Sequence, residues 1–98
     1  MRRSKLETYV DILQTLAQHG PLKLTHVMYK ANLNCNILKE NLEFLLEKGL
    51  VEEQIAGKRT VVYKITQGGI NVVKYFRELK KALPIVEEAQ SRSSGSFY

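Results

Sequence analysis

The chain is poor in the residues that carry covalent and metal chemistry. Cys35 is its only cysteine, so no disulfide can form within the chain, and an intracellular, reducing compartment is the natural reading. Beside it stand only His19 and His26, which supply no set of zinc ligands at usable spacing. No base adjoins Cys35 to activate its thiol as a nucleophile, and a lone thiol is more often a small apolar core residue than a redox sensor. No glycine-rich loop is built to cradle phosphates, since Gly68-Gly69 reads as the start of a helix. Enzymatic activity, a cofactor and a small-molecule ligand are therefore not expected. No run approaches the roughly 18 apolar residues that a membrane helix needs, and Met1 to Glu7 leads into an amphipathic pattern rather than a signal core. These absences predict a soluble, cytoplasmic, non-exported protein.

What the sequence does have is basic charge. Fifteen Lys and Arg against ten Asp and Glu give a net charge of +5 over 98 residues, which favours polyanionic partners. At 44% apolar composition, a chain of this length can bury roughly 60 to 65 per cent of its unfolded surface around one core. A second folded domain does not fit.

Local signals place the elements. Ser4 and Glu7 form a capping box that opens a helix from Lys5 to His19. Its apolar stripe runs Leu6, Val10, Leu13 and Leu16 or Ala17, and Gly20-Pro21 ends it. A short second helix covers at least Thr25 to Lys30, and Leu33 can plug the core at the corner that follows. Asn34 is a good N-cap for a third helix from Cys35 to Lys48, which stops before Gly49. At about 100° per residue, Cys35, Leu38, Leu45 and Leu46 gather around Leu42, while Asn36, Glu40, Glu43 and Glu47 lie opposite. Ile37 and Phe44 break this pattern and must be covered or exposed.

After Gly49 the period changes from helix to strand. Leu50 to Ile55 and Thr60 to Ile65 are β-rich runs separated by Ala56-Gly57-Lys58-Arg59, which predicts a hairpin with a basic tip. Thr66 can cap a last helix, in which Val72, Phe76, Leu79, Leu83 and Val86 form a coiled-coil-like seam. Pro84 sits inside that seam and predicts a kink or restart. The order ααα-ββ-α, mainly α with a long last helix, describes a winged helix-turn-helix. It divides into a basic arm over 1–4, a winged-helix domain over 5–66, a dimerisation helix over 67–90 and a disordered Ser/Gly tail over 91–98.

Three stretches, Val27 to Asn34, Asn41 to Val51 and Tyr63 to Gly69, resemble the archaeal winged-helix family of small basic chromatin proteins and transcription regulators. Within them, Met28-Tyr-Lys-Ala-Asn-Leu33 is the more specific motif, whereas Leu46-Glu-Lys-Gly-Leu-Val51 suits winged helices generally. The resemblance runs from about Leu6 to Leu79. It implies binding to double-stranded DNA and a homodimer through the last helix, an antiparallel coiled coil in chromatin members. The Thr-x-x-Gly usual at the start of that helix stands here as Thr66-Gln-Gly-Gly69, with an extra glycine at Gly68.

In such a fold the third helix enters the major groove, where Asn34, Asn36, Lys39 and Glu40 are placed to meet base edges. Asn34 has the alternative of serving only as a cap, and the others of forming a solvated face. The carboxylates of Glu40, Glu43 and Glu47 argue that only the start of the helix inserts deeply. Lys58 and Arg59 at the hairpin tip can reach a phosphate or the minor groove. Arg2, Arg3 and Lys5 can form a basic arm, while Lys23, Thr25, Tyr29 and Lys30 can hold the backbone. Tyr29 has the alternative of a core position with its hydroxyl at the surface. Lys74, Arg77, Lys80 and Lys81 read as the solvated side of the last helix. The expected role is a transcription regulator or a nucleoid-associated protein. The competing role is a protein interaction module that uses Ile37, Phe44 and the acidic face of the third helix.

Overall fold

The computed structural model describes residues 4–83. Arg2, Arg3, Pro84, Val86 and the Ser/Gly tail lie outside the described residues. Within them the order is α1 (Lys5–His19), α2 (Leu24–Ala31), α3 (Cys35–Glu47), β1 (Val51–Ala56), β2 (Thr60–Ile65) and α4 (Gln67–Ala82). This is a winged helix.

Caps set the helix boundaries. The Ser4 hydroxyl accepts the Glu7 amide at 3.1 Å, and the Glu7 carboxylate accepts the Ser4 amide at 2.8 Å. Gly20, at φ 78°, ends α1 in a conformation that side chains other than glycine resist. Asn32 closes α2 in the left-handed region, leaving three residues before α3, and Leu33 packs against the core from that turn. Asn34 caps α3 by accepting the Ile37 amide at 2.9 Å.

The core gathers Ile12, Leu13 and Leu16 of α1, Val27 of α2, and Leu38, Leu42 and Leu45 of α3. Val51, Ile65 and Val73 close it from the hairpin and α4. Two details depart from the sequence-based expectation. On α1, Leu6 is exposed at 54% and stays outside the core, Ile12 is fully buried instead, and of the pair Leu16 or Ala17 it is Leu16 that is buried. On α3 the buried residues are Leu38, Asn41, Leu42 and Leu45, an arc centred about 50° from Leu42 towards Asn41. That rotation carries Cys35 off the expected core stripe and into solvent. Asn41 is tolerated inside because its amide donates to the Ile37 carbonyl at 2.7 Å.

The hairpin pairs antiparallel from Val51↔Ile65 to Ala56↔Thr60, and Gly57 at φ 70° opens its turn. It is tied to the helical body twice. The backbone of Leu22, between α1 and α2, exchanges hydrogen bonds of 3.1 and 2.8 Å with Tyr63. At the other end, the Thr66 hydroxyl donates to the Gly49 carbonyl at 2.7 Å and accepts the Gly69 amide at 3.2 Å. One group thus joins the end of α3 to the start of α4.

The two glycines of α4 differ in kind. A Cβ on Gly69 would collide with the Leu50 carbonyl and stand 2.6 Å from the Ile65 side chain, whereas one on Gly68 would meet nothing nearer than 3.4 Å. Gly69→Ala should therefore lower stability by about 1–3 kcal/mol through overpacking. Gly68→Ala should raise it by about 0.4–1 kcal/mol, because alanine fits there and narrows the unfolded ensemble. Paired thermal melts check both signs.

Candidate nucleic-acid interface

Committing Leu38, Leu42 and Leu45 to the core leaves the other side of α3 facing outward, and it carries Asn36, Lys39, Glu40, Glu43 and Glu47, all exposed. Asn36, Lys39, Glu40 and Glu43 line an open groove of about 600 Å³, together with Leu24 of α2 and Glu53 and Tyr63 of the hairpin. The strand pleat explains the last two. Val51↔Ile65 faces the core, so the pair two residues along, Glu53↔Tyr63, faces the same way beyond the core's edge. The next pair on that side, Ile55↔Val61, is exposed, with Ile55 at 65%.

Of the residues expected at an interface, the structure brings Asn36, Lys39 and Glu40 together in this groove. Asn34 adjoins them, but its side-chain oxygen is engaged as the cap, which leaves only its NH₂ group to donate outward. Lys58 and Arg59 are exposed at the hairpin tip, away from the groove. Lys23, Thr25, Tyr29 and Lys30 are exposed on or beside α2, and Tyr29 at 78% exposure is no core residue. Sequence reasoning missed Glu53 and Tyr63. The alternation of the strand offered a signal for them, but the groove arises only when the hairpin folds beside α3.

The first turn of α3 holds no acidic side chain, so the positive end of its dipole is uncompensated and suits an anion. Phe44, off the core stripe, is accounted for within the chain: its ring stacks on Tyr9 at 4.7 Å between centroids, and the Lys48 ammonium lies 5.5 Å above it. Ile37 remains partly exposed. His19, His26 and Cys35 are exposed, and among the described residues no group of three or more His, Cys, Asp or Glu could hold a metal. No helix of the described residues is long and apolar enough to cross a membrane.

A helix-turn-helix followed by a hairpin and a further helix is the arrangement that a family model described as winged helix-turn-helix matches over residues 2–83. The chain belongs to the winged helix-turn-helix family. Among solved structures it is similar to MepR, a transcription regulator of the Staphylococcus aureus multidrug efflux pump MepA, with a TM-score of 0.72 at 18% identity over 85% of this chain and 63% of MepR. It is also similar to ZitR of Lactococcus lactis, with a TM-score of 0.69 at 22% identity, covering 87% of this chain and 66% of ZitR. The Zalpha domain of zebrafish PKZ is matched over its whole length and 66% of this chain, with a TM-score of 0.62 at 15% identity. This winged helix spans 58% of the length of a MarR-family regulator of the same fold. Among curated proteins no sequence matches it.

Burial raises the pKa of the Tyr63 phenol above its usual 10.0, and the Glu53 carboxylate opposite adds to the shift. The folded chain then holds this proton more tightly than the unfolded one, so its contribution to stability is complete below pH 10 and is lost as pH rises through the folded value. Tyr63→Phe should flatten that alkaline decline. Urea unfolding midpoints of the two proteins across the alkaline range measure the difference.

Proposed function

We propose that this winged helix binds double-stranded DNA as a homodimer and acts, without enzymatic activity, as a transcription regulator or nucleoid-associated protein of the archaeal kind its motifs resemble, in the cytoplasm. The observation that carries the reading is the placement of α3. Its apolar side is committed to the core, while its polar side stands open beside a hairpin whose tip presents Lys58 and Arg59. An α-helix of this kind fits the major groove of B-DNA, about 12 Å wide, while a basic tip reaches backbone or minor groove. Lys23, Thr25, Tyr29 and Lys30 are exposed and free to contact phosphates, and Arg2 and Arg3 add charge to the arm before α1. The protein-interaction reading is weaker because Phe44, one of its two apolar anchors, is stacked on Tyr9.

Neutralising about 4 to 6 phosphates per protomer should give a slope of log K against log salt of about −4 to −5 per protomer. Fluorescence anisotropy with mixed-sequence duplex at low and near-physiological salt measures it, and a slope near zero would overturn the reading. Lys58→Glu with Arg59→Glu should abolish duplex binding while leaving the fold intact.

The dimer rests on α4. Val72 packs against the chain's own core and Phe76 is half-buried beneath the Lys80 ammonium, but Leu79 and Leu83 are exposed. Tyr75, at 72% exposure, lies on the same ridge as both, four and eight residues before them. An apolar ridge of this length is what a second copy would cover. Leu79→Glu with Leu83→Glu should convert a dimer to a monomer in sedimentation velocity with an unchanged circular dichroism spectrum. A dimer that survives both changes would place the interface elsewhere.

A further inference from the structure

The residues of the α3 groove bear on whether the domain reads sequence or merely coats DNA, an inference that rests on the DNA-binding reading above. The chain as a whole carries +5. The helix placed to enter the groove departs from that balance: over 35–48 it sets Glu40, Glu43 and Glu47 against Lys39 and Lys48. Sequence-blind binding draws nearly all its free energy from neutralising phosphates. Within a major groove flanked by two phosphate strands, an exposed carboxylate opposes that attraction over a screening length of about 10 Å. A packaging protein gains nothing from such groups on its inserted face.

A carboxylate recovers its cost at one kind of position, where a base presents an amino group. In the major groove, cytosine offers N4–H₂ with no acceptor beside it, and Glu or Asp is its matching partner. The residue next to Glu40 is Lys39, whose ammonium suits the O6 and N7 acceptors of the guanine paired to that cytosine. Asn36 stands one turn earlier, and an Asn side chain bonds adenine N6 and N7 in bidentate fashion. Four residues of α-helix rise about 6 Å, close to two base-pair steps of about 3.4 Å.

The side chains are also available. Among the described residues no hydrogen bond or ion pair engages the side chains of Asn36, Lys39 or Glu40, and all three line the one groove. Asn34 and Asn41 on the same segment are, by contrast, bonded to the backbone of α3. We propose that Asn36, Lys39 and Glu40 are specificity-determining residues, with Lys39 and Glu40 reading a C·G base pair and Asn36 an A·T pair about two steps away. The domain is then a sequence-selective regulator rather than a sequence-blind packaging protein.

The test is selection of binding sites from a random duplex pool by the full chain, followed by titration of the selected duplex and a scrambled one. Glu40→Gln and Glu47→Gln are carried through the same steps. The wild-type chain is expected to select a motif containing the C·G pair. Glu40→Gln should relax that position towards A·T, because an amide matches adenine, and reduce the preference for the selected duplex by about 5- to 150-fold. Glu47→Gln removes the same charge farther along the helix, and should tighten binding to both duplexes while keeping the selected motif. A wild-type chain that binds selected and scrambled duplex alike, a motif unchanged in Glu40→Gln, or an equal change in Glu47→Gln would overturn the proposal and leave DNA binding standing. No duplex binding by the wild-type chain at low salt would overturn both.

Discussion

Every feature of the interface depends on how α3 divides its surface between core and solvent. Leu38, Leu42 and Leu45 are almost completely buried against α1, α2 and the hairpin base. Burying such side chains is worth roughly 1.5–3 kcal/mol each, a large share of a small domain's net stability. The helix cannot turn about its axis without giving that up. Because α-helical geometry is rigid, holding one face inward also aims Asn36, Lys39, Glu40 and Glu43 outward. The polar face needs no support of its own, since the core supplies its orientation. Asn34 sharpens the arrangement by fixing where the helix begins.

The hairpin is held to this platform by the burial of Val51 and Ile65 at its base and by backbone hydrogen bonds. A two-stranded hairpin alone is marginal in water. Here Leu22 adds a short third rung beside Tyr63, and Thr66 bridges the Gly49 carbonyl to the Gly69 amide. The near approach of Gly69 to the Leu50 carbonyl leaves no room for a side chain. The base of the hairpin, the end of α3 and the start of α4 are thus joined directly to one another beside the groove. The tip, where Lys58 and Arg59 stand, is exposed and makes no such contact with the helical body.

Most of the fold was legible in the sequence because its signals are local. Capping residues at Ser4, Asn34 and Thr66, glycines after α1 and α3, and the change of period at Gly49 each act within a few residues, and each element forms where they indicate. The misreadings share another cause. Cys35 lies on the apolar stripe by helical geometry alone, but the neighbours decide which arc is buried, and they centre it nearer Asn41. Leu6 belongs to the apolar stripe by spacing, but it lies at the exposed start of α1. Phe44 seemed unaccommodated because its partner, Tyr9, is 35 residues away in the chain. Site legibility follows the same division. The start of α3 could be named from periodicity, but the opposing wall of Glu53 and Tyr63 exists only in three dimensions. The Leu22 bridge carries no side-chain signal at all, being made of backbone groups.

Net charge and local charge point in different directions here, and the difference is informative. A uniform basic surface attracts any nucleic acid equally and over a long range. In this winged helix the groove beside α3 is lined by Glu40, Glu43 and Glu53, with Lys39 among them, while Lys23, Lys30, Lys58 and Arg59 stand outside it. On the proposed DNA-binding reading, such a layout separates two tasks. Peripheral cations can bring a duplex to the surface and hold its backbone, contributing affinity that carries no sequence information. Central carboxylates subtract from that affinity wherever they face phosphate or a base acceptor, and cease to subtract only against an amino group. Discrimination then comes as much from repulsion by wrong sequences as from attraction to the right one. On the proposed reading, affinity and selectivity rest on different residues of one small domain.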